Sequence, residues 1–96
     1  MSSGANEFIK DFSQYLVSSL VDAPLEVLVD VTMSTKNIMV QIKCKDTDLG
    51  KIIGKKGRTI DSIKVILSAV KNSKFANDNR KVMIEVIEPE NSTFRK

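Results

Sequence analysis

Apolar residues near the start of the chain recur at helical spacing. From Phe8 to Leu20 they return every four residues, a period typical of an amphipathic helix. The side chain of Asn6 can cap the N-terminus of such a helix, and Pro24 cannot continue it. The pattern therefore predicts a helix that begins after Asn6 and ends before Pro24.

Three later segments alternate between apolar and polar positions, as expected for strands with one buried face. The first two lie within residues 25–33 and 38–43, and the turn STKN joins them into a predicted hairpin. The third lies within residues 80–88 and is ended by Pro89. The positions predicted to face the core are Val27, Val29, Val31, Met33, Ile38, Val40, Ile42, Val82, Ile84 and Val86.

Two helices are predicted between the second and third strands. The segment DTDLGKII starts at Asp46, a candidate cap, and makes a short helix that ends at Gly54. A longer helix runs from about Gly57 to about Lys71, and at 100° per residue it has one apolar sector about 120° wide. That sector holds Ile60, Ile63, Ile66, Leu67 and Val70, whereas Lys71 falls outside it and Ser62, Val65 and Ala69 face the opposite side.

The elements follow the order α-β-β-α-α-β, which predicts an α+β fold with three helices on one face of a three-stranded mixed sheet. We expect the third strand to run parallel to the first, because a helical crossover separates it from the second. The folded domain is predicted to span residues 7–88, between a flexible N-terminus at 1–6 and a flexible tail at 89–96.

Composition narrows the classes of function. A length of 96 residues suits one small domain. The chain has no histidine and one cysteine, Cys44, which leaves no internal disulfide and no common metal-ligand or acid–base set. We therefore predict that the protein is not an enzyme and uses no cofactor, metal or small-molecule substrate. The sequence shows no long apolar run and no signal peptide, which predicts a cytoplasmic protein with no membrane partner.

The positive charge is concentrated in one segment. The formal net charge is −3 over residues 1–42, +6 over 43–74 and zero over 75–96, which together give +3. A basic segment within an otherwise neutral or acidic domain is typical of a protein that binds a polyanion. A solvated lysine-rich face would have the same composition, so charge alone leaves both interpretations open.

The most basic part of that segment is the stretch IIGKKGRTI at residues 52–60. It can be a turn between two helices, with Gly54 ending one helix and Gly57 opening the next. It can also be an anion site, because N–H groups at a helix start and nearby cations attract phosphate, and glycines let it approach closely. Three cations at a helix N-terminus oppose the helix dipole, and Gly50 weakens the short helix, so stability alone does not account for these residues.

This stretch resembles the signature of the KH domain, which is an apolar residue and glycine, two variable and usually basic residues, glycine, two further residues and Ile. The chain has Ile53, Gly54, Lys55, Lys56, Gly57, Arg58, Thr59 and Ile60 in that order. The order of elements resembles the bacterial type II KH fold. The run DLGKIIGKKGRTI is similar to the DxGxxIGxxGRT stretch of small single-domain bacterial proteins of the KhpA type, and the resemblance covers about residues 7–88.

The resemblance implies a single-stranded RNA-binding protein, an RNA chaperone or post-transcriptional regulator, whose loop grips the backbone of about four nucleotides. For Ile60, plain core packing is an equally good interpretation. No aromatic residue lies in the implied site, so base stacking should be weak. The implied RNA-binding residues are Gly50, Lys51, Ile52, Ile53, Gly54, Lys55, Lys56, Gly57, Arg58 and Ile60, with Val40 and Ile42 as an apolar wall.

The alternative is a protein-interaction module with the same fold. The resemblance implies a homodimer and pairing with a larger KH protein of the KhpB (Jag) type. Charge reversal in the loop would separate the two functions, because it would abolish RNA binding and leave a protein contact intact. The apolar residues available for such contacts are Leu28, Met39, Met83 and Ile87 on the outer face of the sheet, and the candidate dimer or partner patch Ser62, Val65, Ile66 and Ala69 on the longer helix.

Overall fold

The computed structural model describes residues 3–88 and confirms the predicted order of elements. Three single 3₁₀ turns lie at Pro24–Glu26, Asp46–Asp48 and Lys55–Gly57. The helices are α1 (Ser3–Ser18), α2 (Leu49–Ile53) and α3 (Arg58–Lys74), and the strands are β1 (Leu28–Met33), β2 (Asn37–Lys43) and β3 (Lys81–Val86). No helix within residues 3–88 is long and apolar enough to cross a bilayer.

The sheet has the order β1-β2-β3, with β2 in the centre. Strand β1 pairs antiparallel with β2, and β2 pairs parallel with β3, so that Val40 lies opposite both Val31 and Ile84. The prediction that the third strand runs parallel to the first is wrong. A helical crossover returns the chain beside the strand it has just left and in the same direction, so β3 is parallel to β2 and antiparallel to β1.

The alternation predicted for the strands is confirmed. Val29, Val40, Ile42 and Val82 are buried against the helices. Leu28 is exposed on the opposite face, where the partly exposed Met39, Met83 and Ile87 also lie. The three helices therefore cover one face of the sheet, and the other face is open.

Helix α3 buries a slightly different face from the predicted one. Ile63 and Leu67 are buried as expected, but Ile66 is 42% exposed and Lys71 is only 4% exposed. Lys71 follows Leu67 by four residues and so shares its face. Its Nζ donates to the carbonyl oxygen of Asp78 at 2.6 Å, a contact with the α3–β3 loop that the helical pattern could not reveal.

Helix α1 begins at Ser3, three residues before the predicted cap Asn6, and ends at Ser18. Residues 3–6, assigned above to a flexible N-terminus, are therefore helical, while the predicted tail 89–96 lies outside the described residues. The buried row is offset by one residue from the predicted one. The buried row consists of Ala5, Ile9, Ser13 and Val17.

A buried carboxylate holds α2 in place. Asp48, not the predicted cap Asp46, has the structural role: its two carboxylate oxygens accept hydrogen bonds from the backbone N–H groups of Asp22 at 3.3 Å and Ala23 at 3.1 Å. Its side chain is fully enclosed, and these bonds satisfy its charge. The segment after α1 is thereby attached to the start of α2, which fixes the position of the loop that follows α2.

Candidate nucleic-acid interface

The loop between α2 and α3 is a tight turn made largely of backbone with positive φ. Gly54 has φ 77° and ψ 174°, Gly57 has φ 75° and ψ 15°, and Lys56 between them has φ 56° and ψ 27°. Lys56 is the one non-glycine residue with positive φ within residues 3–88. A side chain in this left-handed region costs roughly 1–2 kcal/mol. The loop therefore places a lysine where glycine would be more stable.

The two loop glycines are required for different reasons. A Cβ at Gly54 would lie 2.7 Å from Cβ and 2.8 Å from the backbone N of Thr59, so the chain itself fills that space. A Cβ built at Gly57 meets no described atom within 4 Å. Gly54 thus permits close packing of the turn, whereas Gly57 leaves open space at the start of α3 that a ligand can approach.

The cations around the turn are exposed and have no acidic partner. Among residues 3–88, no carboxylate lies within 4.0 Å of the charged groups of Lys55, Lys56 or Arg58. No side chain caps the N-terminus of the 17-residue helix α3. Its first N–H groups and these three cations create a positive potential on one exposed corner of the protein.

Two predicted site residues, Gly50 and Lys51, lie on α2. The Nζ of Lys51 is 3.3 Å from the Asp22 carboxylate, so its charge is already partly paired. Gly50 is an exposed residue of α2 whose carbonyl oxygen accepts a bond from Gly54 N at 2.8 Å. The loop and the start of α3 therefore carry the unpaired positive charge, and α2 contributes the support.

Four apolar residues predicted to meet RNA are part of the core. Val40, Ile42 and Ile52 have no exposed surface, and Ile53 is almost fully buried. Val40 and Ile42 lie on the central strand beneath the helices, so another strand separates them from the edge of the sheet. These four residues support the site from below and do not line its surface.

Partly exposed apolar side chains lie instead on α3 and β3, which pack against each other. Ile60 in the first turn of α3 is partly exposed, and so are Ile84 and Val86. The register places Ile84 beside Val40 and Val86 beside Ile42, on the helix-covered face. Because β3 is the edge strand, its side chains reach the surface that those of β2 cannot. The parallel crossover predicted from the sequence was the signal that could have placed Ile84 and Val86 on an edge strand with exposed surface.

The outer face of α3 carries the candidate patch for protein contact. Val65 is 67% exposed, and Ser62 and Ala69 are exposed beside it, which confirms that these residues lie off the core. Ile66, predicted both in the core sector and in the patch, belongs to the surface. The patch therefore lies on a different side of α3 from the Ile60 surface.

The single cysteine is not activated. Burial, reinforced by the negative charges of Asp48 and Asp46, raises the pKa of the Cys44 thiol above its usual value. A raised pKa lowers the fraction of reactive thiolate. Within residues 3–88, no group of three or more cysteine and acidic side chains is arranged to hold a metal ion.

The sequence profile of the family described as KhpA/KhpB, KH domain, matches residues 10–86 of the chain. The chain belongs to this family of KH domains. The RNA-binding protein KhpA of Chlamydia trachomatis serovar D is 40% identical over 80 residues, which cover 83% of this chain and 97% of that protein.

Similar KhpA/KhpB-family relatives occur in other bacteria. The RNA-binding protein KhpA of Clostridium perfringens is 32% identical over 79 residues, or 82% of this chain and all of that protein. The corresponding protein of Borreliella burgdorferi is 33% identical over 75 residues, or 78% of this chain and 87% of that protein. These alignments, together with the observed fold, confirm the resemblance to KH domains.

Proposed function

We propose that the protein binds single-stranded RNA, with the Gly54–Gly57 loop gripping the phosphate backbone. The observation that carries this proposal is the set of exposed, unpaired cations around a turn held in a strained conformation at the start of a long helix. Strained backbone conformations of this kind cluster at functional sites. The names of the bacterial relatives, RNA-binding protein KhpA, support the same ligand.

In this proposal the loop supplies charge and the α3–β3 surface supplies contact with bases. Lys55, Lys56 and Arg58 neutralise phosphates, and the open space at Gly57 lets the backbone approach the first N–H groups of α3. Bases then lie over the aliphatic side chains of Ile60, Ile84 and Val86.

The rings of Phe8, Phe12 and Phe75 are not part of this surface. Phe8 stacks on Phe12 with ring centroids 5.8 Å apart and contacts Phe75 at 6.0 Å, so these rings pack with one another beside α1. Aliphatic side chains stack on bases more weakly than aromatic rings do. We therefore expect modest affinity and little discrimination among bases, as suits a cytoplasmic RNA chaperone or post-transcriptional regulator without a catalytic step.

The test is charge reversal of the loop by the double substitution Lys55→Asp and Lys56→Asp. Both side chains are exposed, and acidic residues at a helix N-terminus complement its dipole, so the variant should fold at least as well as the wild type. For the wild type, three to four phosphate contacts predict that log K falls against log salt with a slope of about −2 to −3. The variant should lose most of its affinity and much of that slope, measured by fluorescence anisotropy on a short unstructured RNA.

The control is the pair Lys10→Glu and Lys43→Glu, which removes the same number of cations from exposed positions on α1 and on the open face of the sheet. Thermal melts accompany both variants. If the folded loop variant binds RNA as tightly as this control, the loop is only a turn and a protein-interaction module becomes the better interpretation. A single-stranded DNA of the same sequence shows whether the 2′-hydroxyl contributes.

We further propose that the Val65 patch on α3 joins two copies of the chain. A residue as exposed as Val65, flanked by small Ser62 and Ala69, lets two helices approach closely. Val65→Glu should convert a dimer to a folded monomer in sedimentation analysis, with unchanged circular dichroism. Unaltered sedimentation would remove the patch from consideration, and pairing with a KhpB (Jag)-type protein would then need another surface.

A further inference from the structure

A polar cleft of about 440 Å³ lies at the far end of the α3–β3 edge from the Gly54–Gly57 loop. It is formed by α3 from Lys64 onward, the loop that follows, and the start of β3. Four cationic side chains and one carboxylate line it, so the cleft is strongly positive. The lining residues used below are Lys64, Lys71, Asn72, Asp78, Asn79, Arg80 and Lys81.

Two of these four cations, Lys71 and Arg80, are hydrogen-bonded to Asp78 within the wall of the cleft. The Asp78 carboxylate accepts hydrogen bonds from Arg80 Nε at 2.9 Å and from the Arg80 backbone N at 3.0 Å, and forms an ion pair with its guanidinium. Buried Lys71 donates to the Asp78 carbonyl oxygen. These three residues satisfy one another, which fixes the loop and neutralises the one acidic group in the cleft.

The remaining cations, Lys64 and Lys81, are exposed and unpaired. Neither has a carboxylate within 4.0 Å among the described residues. The exposed amides of Asn72 and Asn79 lie on the same rim and can donate hydrogen bonds. Lysines and amides are the groups that proteins use for contacts with phosphate and sugar.

We propose that this distal cleft binds the phosphodiester backbone of RNA nucleotides beyond those held by the Gly54–Gly57 loop. The inference rests on the proposed function and extends it. At 1.5 Å per residue along α3, Lys64 lies about 9 Å and Asn72 about 21 Å from Arg58. A loop that grips four nucleotides does not need this second basic region, whereas a longer strand that continues along the α3–β3 edge would reach it.

A second depression adjoins this cleft and extends towards the β1–β2 turn. Lys81 and Asn79 line it together with Thr35, Lys36 and Asn37. The backbone N of Lys81 donates to the carbonyl oxygen of Lys36 at 2.9 Å, so the two lysines are held side by side. The cleft is therefore open towards further basic surface, and a bound strand can pass through it.

The test compares a four-nucleotide with an eight-nucleotide oligouridine RNA, binding to the wild type and to the double variant Lys64→Glu, Lys81→Glu. Both side chains are exposed, so the variant should fold. We expect the variant to lose about tenfold in affinity for the longer RNA at low salt and no more than about twofold for the shorter one. For the longer RNA its salt slope should fall by about 1.4, corresponding to two phosphate contacts. For each RNA length the variant is compared with the wild type, so the larger number of binding registers on the longer RNA does not affect the comparison.

The Lys10→Glu, Lys43→Glu pair again serves as the control for net charge. If the cleft variant binds the longer RNA as tightly as this control, or loses equal affinity for both lengths, the inference is overturned while the proposed function stands. If the wild type binds neither RNA, the proposed function fails and the inference fails with it.

Discussion

The two loops that flank α3 contain the same kinds of cationic residue but use them differently. Before α3, Lys55 and Lys56 extend from a strained turn and contact no carboxylate among the described residues. At the other end of α3, Lys71 in the last turn of the helix and Arg80 in the following loop both bind Asp78, one through its carbonyl and the other through its carboxylate. Cations at this end of α3 hold the fold together, and cations in the first loop are left for a ligand.

This comparison shows why counting charges does not locate a binding site. Residues 43–74 carry a net charge of +6, yet Lys71 in that segment is buried and satisfied. Lys64 lies on the same helix but is exposed, and no carboxylate of residues 3–88 lies within 4.0 Å of it. A buried cation is retained because it is hydrogen-bonded, whereas an exposed one without a partner contributes little to stability. Substituting an exposed cation of the first loop should therefore affect binding more than stability, and substituting a hydrogen-bonded cation at the other end of α3 should affect stability more than binding.

The largest effect on folding should come from Gly54→Ala in the first loop. The new Cβ would collide with Thr59 and occupy a backbone conformation with φ 77°, so we expect a loss of about 3 kcal/mol in the free energy of unfolding. Gly57→Ala is the matched control, because it has the same sign of φ but open space, and should cost only about 1 kcal/mol. Urea unfolding of the two variants measures the difference. Equal losses would show that Thr59 does not restrict Gly54.

The contribution of the loop after α3 to the stability of the fold should depend on pH. Hydrogen bonds from Arg80 lower the pKa of Asp78 from 3.8 to about 2 in the folded protein. A carboxylate with a depressed pKa stabilises the fold above its unfolded pKa, and this contribution is lost as the pH falls from about 4 through about 2. After allowance for solvent screening, we expect it to be about 1 kcal/mol. The wild type should therefore exceed Asp78→Asn in stability at pH 5 and approach it at pH 2.

The control for that measurement is Asn79→Ala, which changes an exposed neighbour in the same loop and removes no titratable group. Its stability relative to the wild type should be the same at pH 5 and at pH 2. A difference between wild type and Asp78→Asn that stays constant from pH 5 to pH 2 would mean that the ion pair with Arg80 does not stabilise the loop.

The features that could be predicted from the sequence were those set by local pattern. Alternation identified the three strands and their buried faces, and the GKKG run identified the turn between α2 and α3. These patterns depend on a period of two residues or on glycine, and neighbouring elements do not alter them. The helical period of 100° per residue, another local pattern, placed Val65 correctly on the outside of α3.

The features that could not be predicted depend on contacts between distant segments. Lys71 is buried because the carbonyl of Asp78 accepts from it, and Asp48 is buried because the backbone after α1 donates to it. Local pattern does not give the order of strands, and that order places Val40 and Ile42 on the buried central strand and β3 at the edge of the sheet. On α1, adjacent rows of side chains differ by one residue, and contact with the rest of the fold buries the row that contains Ala5 and Ile9.

The smallest expected change in stability, and the sharpest test of the comparison, is Lys56→Gly. Glycine relieves the left-handed conformation but adds backbone entropy to the unfolded chain, so the variant should be more stable by about 0.5 kcal/mol. It should nevertheless bind RNA more weakly, with the salt slope reduced by about 0.7 for one lost phosphate contact. Lys55→Gly removes the same charge from a residue without positive φ, and so should weaken both binding and stability. Denaturant unfolding and RNA anisotropy on both variants measure the two effects; a Lys56→Gly protein that is less stable than the wild type would mean that Lys56 contributes to the fold and is not held in strain for a ligand.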